Sequence, residues 1–244
     1  MPATPIKPAK LAFEYMTTAG SAFAVQPSLI GEIEKLIDKV RAEIAAAQAK
    51  GKFIAYMSVP VSSKSGGDFN TNIEMANHVT AAIEARFGDK LWVLNPAAYS
   101  LPKAATGDDY MAAWGDVLGG VDGKGSDFDM VYFVGPSDVW GFFGLTNIDK
   151  LGDLATWLAN KAQTDPHYKS INGTPDTRQG FLRFYGLRAS TVFSKGCHDE
   201  WSIFMHLNAM RTVGDDIAVY FDGRPIEPGD FDDGHHHGPK SKLR

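Results

Sequence analysis

Apolar residues recur at helical spacing after Pro27-Ser28: Leu29, Ile30, Ile33, Leu36, Ile37, Val40 and Ile44, with Glu, Lys and Arg between them. This predicts an amphipathic helix with Ser28 as N-cap and Gly51 as its stop. The pattern then changes to a nearly continuous run, Phe53, Ile54, Tyr56, Met57 and Val59, which predicts a buried strand over 53–59. A loop of Pro, Ser and Gly reaches about residue 70, and Ile73, Ala76, Val79, Thr80 and Ile83 mark one face of a second helix over 71–87. A short strand at 91–96, a helix at 108–118 opened by Asp108 and Asp109, and a strand at 128–138 follow. The aromatic segment VWGFFGLTN reads as a loop before a helix at 148–163. Alternation of strands and helices predicts right-handed parallel crossovers. The fold class is α/β: a flavodoxin-like or Rossmann-like parallel sheet with helices on both faces, plus a C-terminal α+β extension.

Residues 1–27, with Pro2, Pro5 and Pro8, read as an irregular arm that packs through Phe13, Tyr15 and Phe23. Residues 28–164 form the α/β core. The polar, turn-rich stretch 164–180 reads as a linker. The extension at 165–228 packs on the core and carries a helix at 198–212, the strand IAVYF and a hairpin turn at Asp222-Gly223. Residues 229–244, acidic, then His235 to His237, then basic, read as a disordered tail, and its histidines as no metal site.

Composition narrows the functional classes. The 244 residues are 44% hydrophobic and 22% charged, enough for a sizeable core. The net charge of −5 argues against a nucleic-acid polymer as partner. One cysteine, Cys197, allows no intrachain disulfide. No apolar run approaches the roughly 20 residues that span a bilayer, and the N-terminus lacks a signal-peptide core. A cytoplasmic protein with no cofactor and no membrane partner is the expectation. The arm and the aromatic loop offer apolar surface for a homo-oligomer.

The candidate chemistry gathers where open α/β sheets bind ligands, at the carboxyl ends of strands. The loop after the first strand presents Ser58, Ser62, Ser63, Lys64, Ser65, Gly66 and Gly67, whose amides and hydroxyls suit a phosphate or sugar. Its spacing matches neither GxxxxGK[ST] nor GxGxxG. Tyr56 lies inside the strand, and its hydroxyl needs a partner if buried. Glu74 starts the second helix, Asp116 lies late on the third, and Asp138 stands just past the 128–138 strand. Trp140 and Phe142 are suited to stacking on a planar base. In SKGCHDEW, Cys197 at a helix start beside Lys195 is an alternative nucleophile. Asp199 and Glu200 complement the helix dipole there, and His198 has no metal-ligand spacing with its neighbours.

Residues 52–147 resemble the nucleoside 2-deoxyribosyltransferase-like superfamily: a strand carrying a Tyr (FIAYMSV), a small-residue loop, Asp116 on a helix, then Asp138 after a central strand in SDVWGFFGLT. The resemblance implies a flavodoxin-like fold and cleavage of an N-glycosidic bond through a carboxylate nucleophile. Tyr56, Asp116 and Asp138 fall where the family's Tyr and Asp residues stand, and Glu74 or Asp138 would serve as nucleophile or acid/base. The family's nucleophilic Glu would fall near Gly144, yet no acid lies between Val139 and Ile148. Three functions are therefore carried forward: an enzyme acting on a nucleoside, nucleotide or related N-glycoside by transfer or hydrolysis; a non-catalytic nucleotide- or small-molecule-binding module of the same fold; and a Cys197-dependent enzyme.

Overall fold

The computed structural model describes residues 12–63, 67–146, 148–212 and 214–226. The described residues begin with an antiparallel hairpin, β1 (Phe13–Met16) and β2 (Ala22–Val25), within the stretch read as an irregular arm, whose residues 1–11 lie outside the described residues. Thr17 to Ser21 turn it, with Gly20 at φ 78°. The hairpin is pinned to the third helix: Tyr15 Oη donates to the Asp116 carboxylate, and Thr18 N donates to Asp116 Oδ1 at 2.6 Å. Close approach explains Gly119, where a Cβ would lie 2.5 Å from Ala19 N.

Helix α1 (Ile30–Gln48) buries the predicted stripe, Ile33, Leu36, Ile37, Val40 and Ile44. The core elements then run β3 (Phe53–Ser58), α2 (Phe69–Phe87), β4 (Leu91–Leu94), α3 (Gly107–Gly119) and β5 (Met130–Phe133). Asp68 caps α2 through Thr71 N, and Thr106 with Asp109 forms a capping box on α3. Three helices stand where sequence predicted loops: α4 (Pro136–Phe143), α6 (Pro166–Asn172) and α7 (Pro175–Leu187), with α5 (Lys150–Thr164) among them. Each carries proline at its start, where the missing N–H costs nothing. Asp165 and Thr174 cap α6 and α7. The 164–180 stretch is therefore mostly helix, and the strand expected to reach residue 138 ends at Phe133. Helix α8 (Lys195–Ala209) leads to β6 (Ala218–Phe221), and the Asp222-Gly223 turn to β7 (Arg224–Pro225). The predicted tail lies outside the described residues.

The main sheet has the order β4-β3-β5-β6-β7, parallel except for the β6–β7 hairpin. Because β6 pairs with β5, the C-terminal stretch completes the same sheet as the 28–164 core. Alternation along the strands separates two apolar layers. Ile54, Tyr56, Val131, Phe133 and Val219 face α1, α3 and α8. Ala55, Met57, Met130, Tyr132 and Val134 face α2 and α4 to α7. The chain leaves β3 toward β4 on one side and returns to β5 on the other, so strand order reverses between β3 and β5. A crevice at the carboxyl ends of two such strands is the favoured ligand position in an open α/β sheet.

Candidate functional site

Three side chains meet beside the β3–β5 junction. Tyr56 and Ser58 are two residues apart on β3, so both project toward α8. Tyr56 Oη donates to Glu200 Oε1 at 2.6 Å, and Ser58 Oγ donates to Glu200 Oε2 at 2.5 Å. Tyr56 and Ser58 are wholly buried and Glu200 is 6% exposed. The rings of Trp114, Phe128 and Phe204 pack around Tyr56. This apolar wall gives the carboxylate little solvation. Burial pushes Glu200 up to about 7; the hydrogen bonds from Ser58 and Tyr56 oppose the rise, and the Asp199 charge adds to it. Tyr56 is raised well above the usual phenol range, by burial first and then by Glu200. A carboxyl group near 7 exists in both protonation states at neutral pH, as a general acid or base requires.

Cys197 lies one helical turn before Glu200 and is buried. Burial, then the Glu200 charge, pushes its thiol far above the ordinary value, while hydrogen bonds with Ser194 and Ser58 oppose the shift. The thiolate that a cysteine nucleophile needs is therefore disfavoured at neutral pH. Cys197 contributes to the surroundings of Glu200 and is a poor candidate for independent attack.

Near this group lies a small cleft of about 20 Å³. Its walls come from the loop after β3 (Pro60, Ser62), from α7 (Phe184 and the following Arg188), and from the segment entering α8 (Ser190, Phe193, Ser194). Thr191 N and Oγ1 both donate to Val134 O, at 3.1 and 3.0 Å, which holds the α8 entry over the end of β5. Ser194 caps α8 through Cys197 N, linking the cleft to the buried triad.

The other sequence-predicted residues lie elsewhere. Glu74 accepts from Lys161 Nζ at 2.7 Å and from Tyr168 Oη at 3.0 Å, an arrangement that ties α2 to α5 and α6. Asp116 holds the hairpin. Asp138 accepts from Gly135 N at 2.9 Å and Tyr132 Oη at 2.8 Å, capping α4 on the opposite sheet face. Burial raises Asp138 to about 6, with the Gly135 and Tyr132 hydrogen bonds opposing it. Trp140 carries Lys150 Nζ 3.1 Å from its ring centroid, and Phe142 packs on His78, Phe143 and Trp157. Both rings belong to the α2–α5 layer, away from Glu200. At Gly67 a Cβ would come 2.6 Å from the Phe184 ring, so this glycine lets the loop pass beneath α7. Ser62 lines the cleft and Ser63 is exposed. Gly66, with Lys64 and Ser65, lies outside the described residues.

The structure thus gathers Tyr56, Ser58 and Cys197 around Glu200, and does not join them to Glu74, Asp116 or Asp138. Its local sequence alone assigns Glu200 to helix-start electrostatics. A readable signal existed: with Ile203, Phe204 and Leu207 it falls at i, i+3, i+4 and i+7, a carboxylate within an apolar stripe. Among the described residues, no group of three or more His, Cys, Asp and Glu could hold a metal ion, and no helix is long and apolar enough to cross a membrane. No family model, curated protein or solved structure matches the chain.

Proposed function

We propose that the chain is an enzyme acting on a small molecule bound where β3 and β5 end, with Glu200 as its general acid–base group. The observation that carries this reading is the buried Tyr56–Glu200–Ser58 arrangement, with a carboxyl group pushed up to about 7 beside the topological switch. Asp138 also has a raised value, but its helix-capping role accounts for its position. The substrate class is a nucleoside, nucleotide or related N-glycoside, as the Tyr-bearing strand and small-residue loop suggest. The strand order β4-β3-β5-β6 supports the flavodoxin-like form of the fold. Protonated Glu200 gives its proton to the departing base; ionised Glu200 takes one from attacking water. Tyr56 and Ser58 orient the carboxyl group through its two oxygens.

A second reading, a binding module without turnover, has its own support: both Glu200 oxygens are already hydrogen-bonded and the residue is only 6% exposed. Incubation with a panel of nucleosides and nucleotides, following release of free base, separates the two. The enzymatic reading expects release that falls about 10²- to 10⁴-fold in Glu200→Gln. A ligand that raises the melting temperature without being consumed supports the binding module. Absence of both release and stabilisation across the panel excludes this substrate class.

A further inference from the structure

The cleft near Glu200 is lined by a serine whose hydroxyl has no partner among the described residues. Ser190 is 3% exposed, lines the cleft, and its Oγ makes no hydrogen bond among the described residues. Buried polar groups ordinarily have partners, so an unbonded hydroxyl on a residue that lines a cleft calls for an acceptor or donor from outside. Helix α8 begins at the same place. Its first-turn amides at Lys195 and Gly196 have no acceptor within the helix, and Gly196 places no side chain over them. The 15-residue helix turns its positive end toward the cleft.

The side chains agree in sign. Arg188 lines the cleft, and its guanidinium makes no hydrogen bond or ion pair among the described residues. Lys195 is turned to Asp108 at 3.7 Å, leaving Arg188 as the cation among the lining residues. Among the described residues, no carboxylate lines the cleft. Ser62 and Ser194 add hydroxyls on facing walls. We propose that this cleft is an anion subsite that takes a phosphate group, with Arg188, the Ser190 hydroxyl and the start of α8 as its donors. Its volume of about 20 Å³ is far below the approximately 300–1,000 Å³ of pockets that enclose drug-sized ligands, so it receives a single small group rather than a whole nucleotide. The subsite deepens the reading of Glu200, on which it rests only for the bound molecule being a substrate. It favours a phosphate-bearing compound over a bare nucleoside.

Thermal unfolding in inorganic phosphate against chloride at matched ionic strength tests it, because a ligand that binds the folded chain raises its melting temperature. A saturable rise specific to phosphate is expected. A nucleoside monophosphate that acts at lower concentration than phosphate, while its nucleoside does not, assigns the subsite to a nucleotide; equal potency assigns it to free phosphate. Arg188→Gln should weaken the apparent affinity roughly tenfold or more. Ser190→Ala should weaken it roughly threefold or more without lowering the melting temperature of the unliganded chain, because its hydroxyl has no partner among the described residues to lose. Identical melting in phosphate and chloride, or affinities in both variants equal to the parent's, would overturn the subsite. Phosphate binding is read without turnover, so its absence removes this inference alone, whereas base release by the parent and Glu200→Gln tests the acid–base reading.

Discussion

Two tyrosine–carboxyl pairs occupy opposite faces of the same sheet, on adjacent strands. Tyr56 on β3 meets Glu200; Tyr132 on β5 meets Asp138. Both carboxyl groups are pushed up by burial, to about 7 and about 6. Their surroundings differ. Asp138 sits in the first turn of α4, accepts the Gly135 amide, and feels both the Asp222 charge, which raises it, and Arg86, which lowers it. Its helix explains its position. Glu200 caps nothing. It stands inside α8 with two hydroxyl donors and an apolar surround. A raised carboxyl value alone does not mark a functional group. The contrast lies in whether local structure already accounts for the residue.

That contrast can be broken at several points. The largest expected effect is pH-dependent. Glu200 binds its proton more tightly in the folded chain than at its ordinary value of 4.5, so its ionisation opposes folding. The associated stability is fully present below about pH 4.5 and is lost as pH rises through about 7, a change of about 3 kcal/mol. Urea unfolding should show this loss between pH 5 and 8 in the parent and its removal in Glu200→Gln. Equal pH slopes in the two proteins would place the ionisation elsewhere.

Tyr56→Phe comes next. It removes a donor from a buried carboxylate and should cost about 1.5–3 kcal/mol at pH 8. The cost should shrink at pH 5, where Glu200 is protonated; a pH-independent cost would reduce Tyr56 to packing. Asp138→Asn should cost about 1 kcal/mol through loss of the α4 cap, as chemical denaturation would show. It should leave the Glu200 titration in place, because the two groups lie on opposite faces. A smaller effect is expected for Lys161→Met. Its ion pair with Glu74 joins two half-exposed side chains and is worth about 0.5 kcal/mol. A loss of several kcal/mol on melting that variant would show that the α2–α5 tie carries more than ordinary surface charge.

Much of the fold was legible because periodicity is a local signal. The stripe of α1, the apolar run of β3 and the caps of α3 predicted elements that form nearly where expected. Prolines misled the reading of α4, α6 and α7. Pro136, Pro166 and Pro175 looked like loop residues, although proline at a helix's first position closes no ladder and breaks none. The aromatic segment from Trp140 to Phe143 is consequently helical, and its rings fill the α2–α5 layer. The hairpin at 13–25 escaped notice because its strands are short and half-exposed, and its contacts with α3 depend on Asp116, far along the chain.

The candidate site was only half legible. Tyr56 and Ser58 were read from their place on a strand leading to a small-residue loop. Glu200 stands 142 residues from Ser58 and 144 from Tyr56 along the chain, a pairing that local pattern does not encode. The helix dipole offered an immediate explanation for an acid near a helix start, and that explanation obscured its position among Ile203, Phe204 and Leu207. The same distance effect hid the cleft, whose walls come from the β3 loop, α7 and the start of α8.

The central claim concerns the protonation of Glu200. Carbon-13 NMR of glutamate side-chain carboxyl groups, with the Glu200 signal assigned by its loss in Glu200→Gln, measures it without a substrate. The account predicts a titration midpoint near 7 for that signal. A midpoint in the ordinary glutamate range, about 4.3, would contradict it and leave the Tyr56–Glu200–Ser58 group as a hydrogen-bonded element of the core.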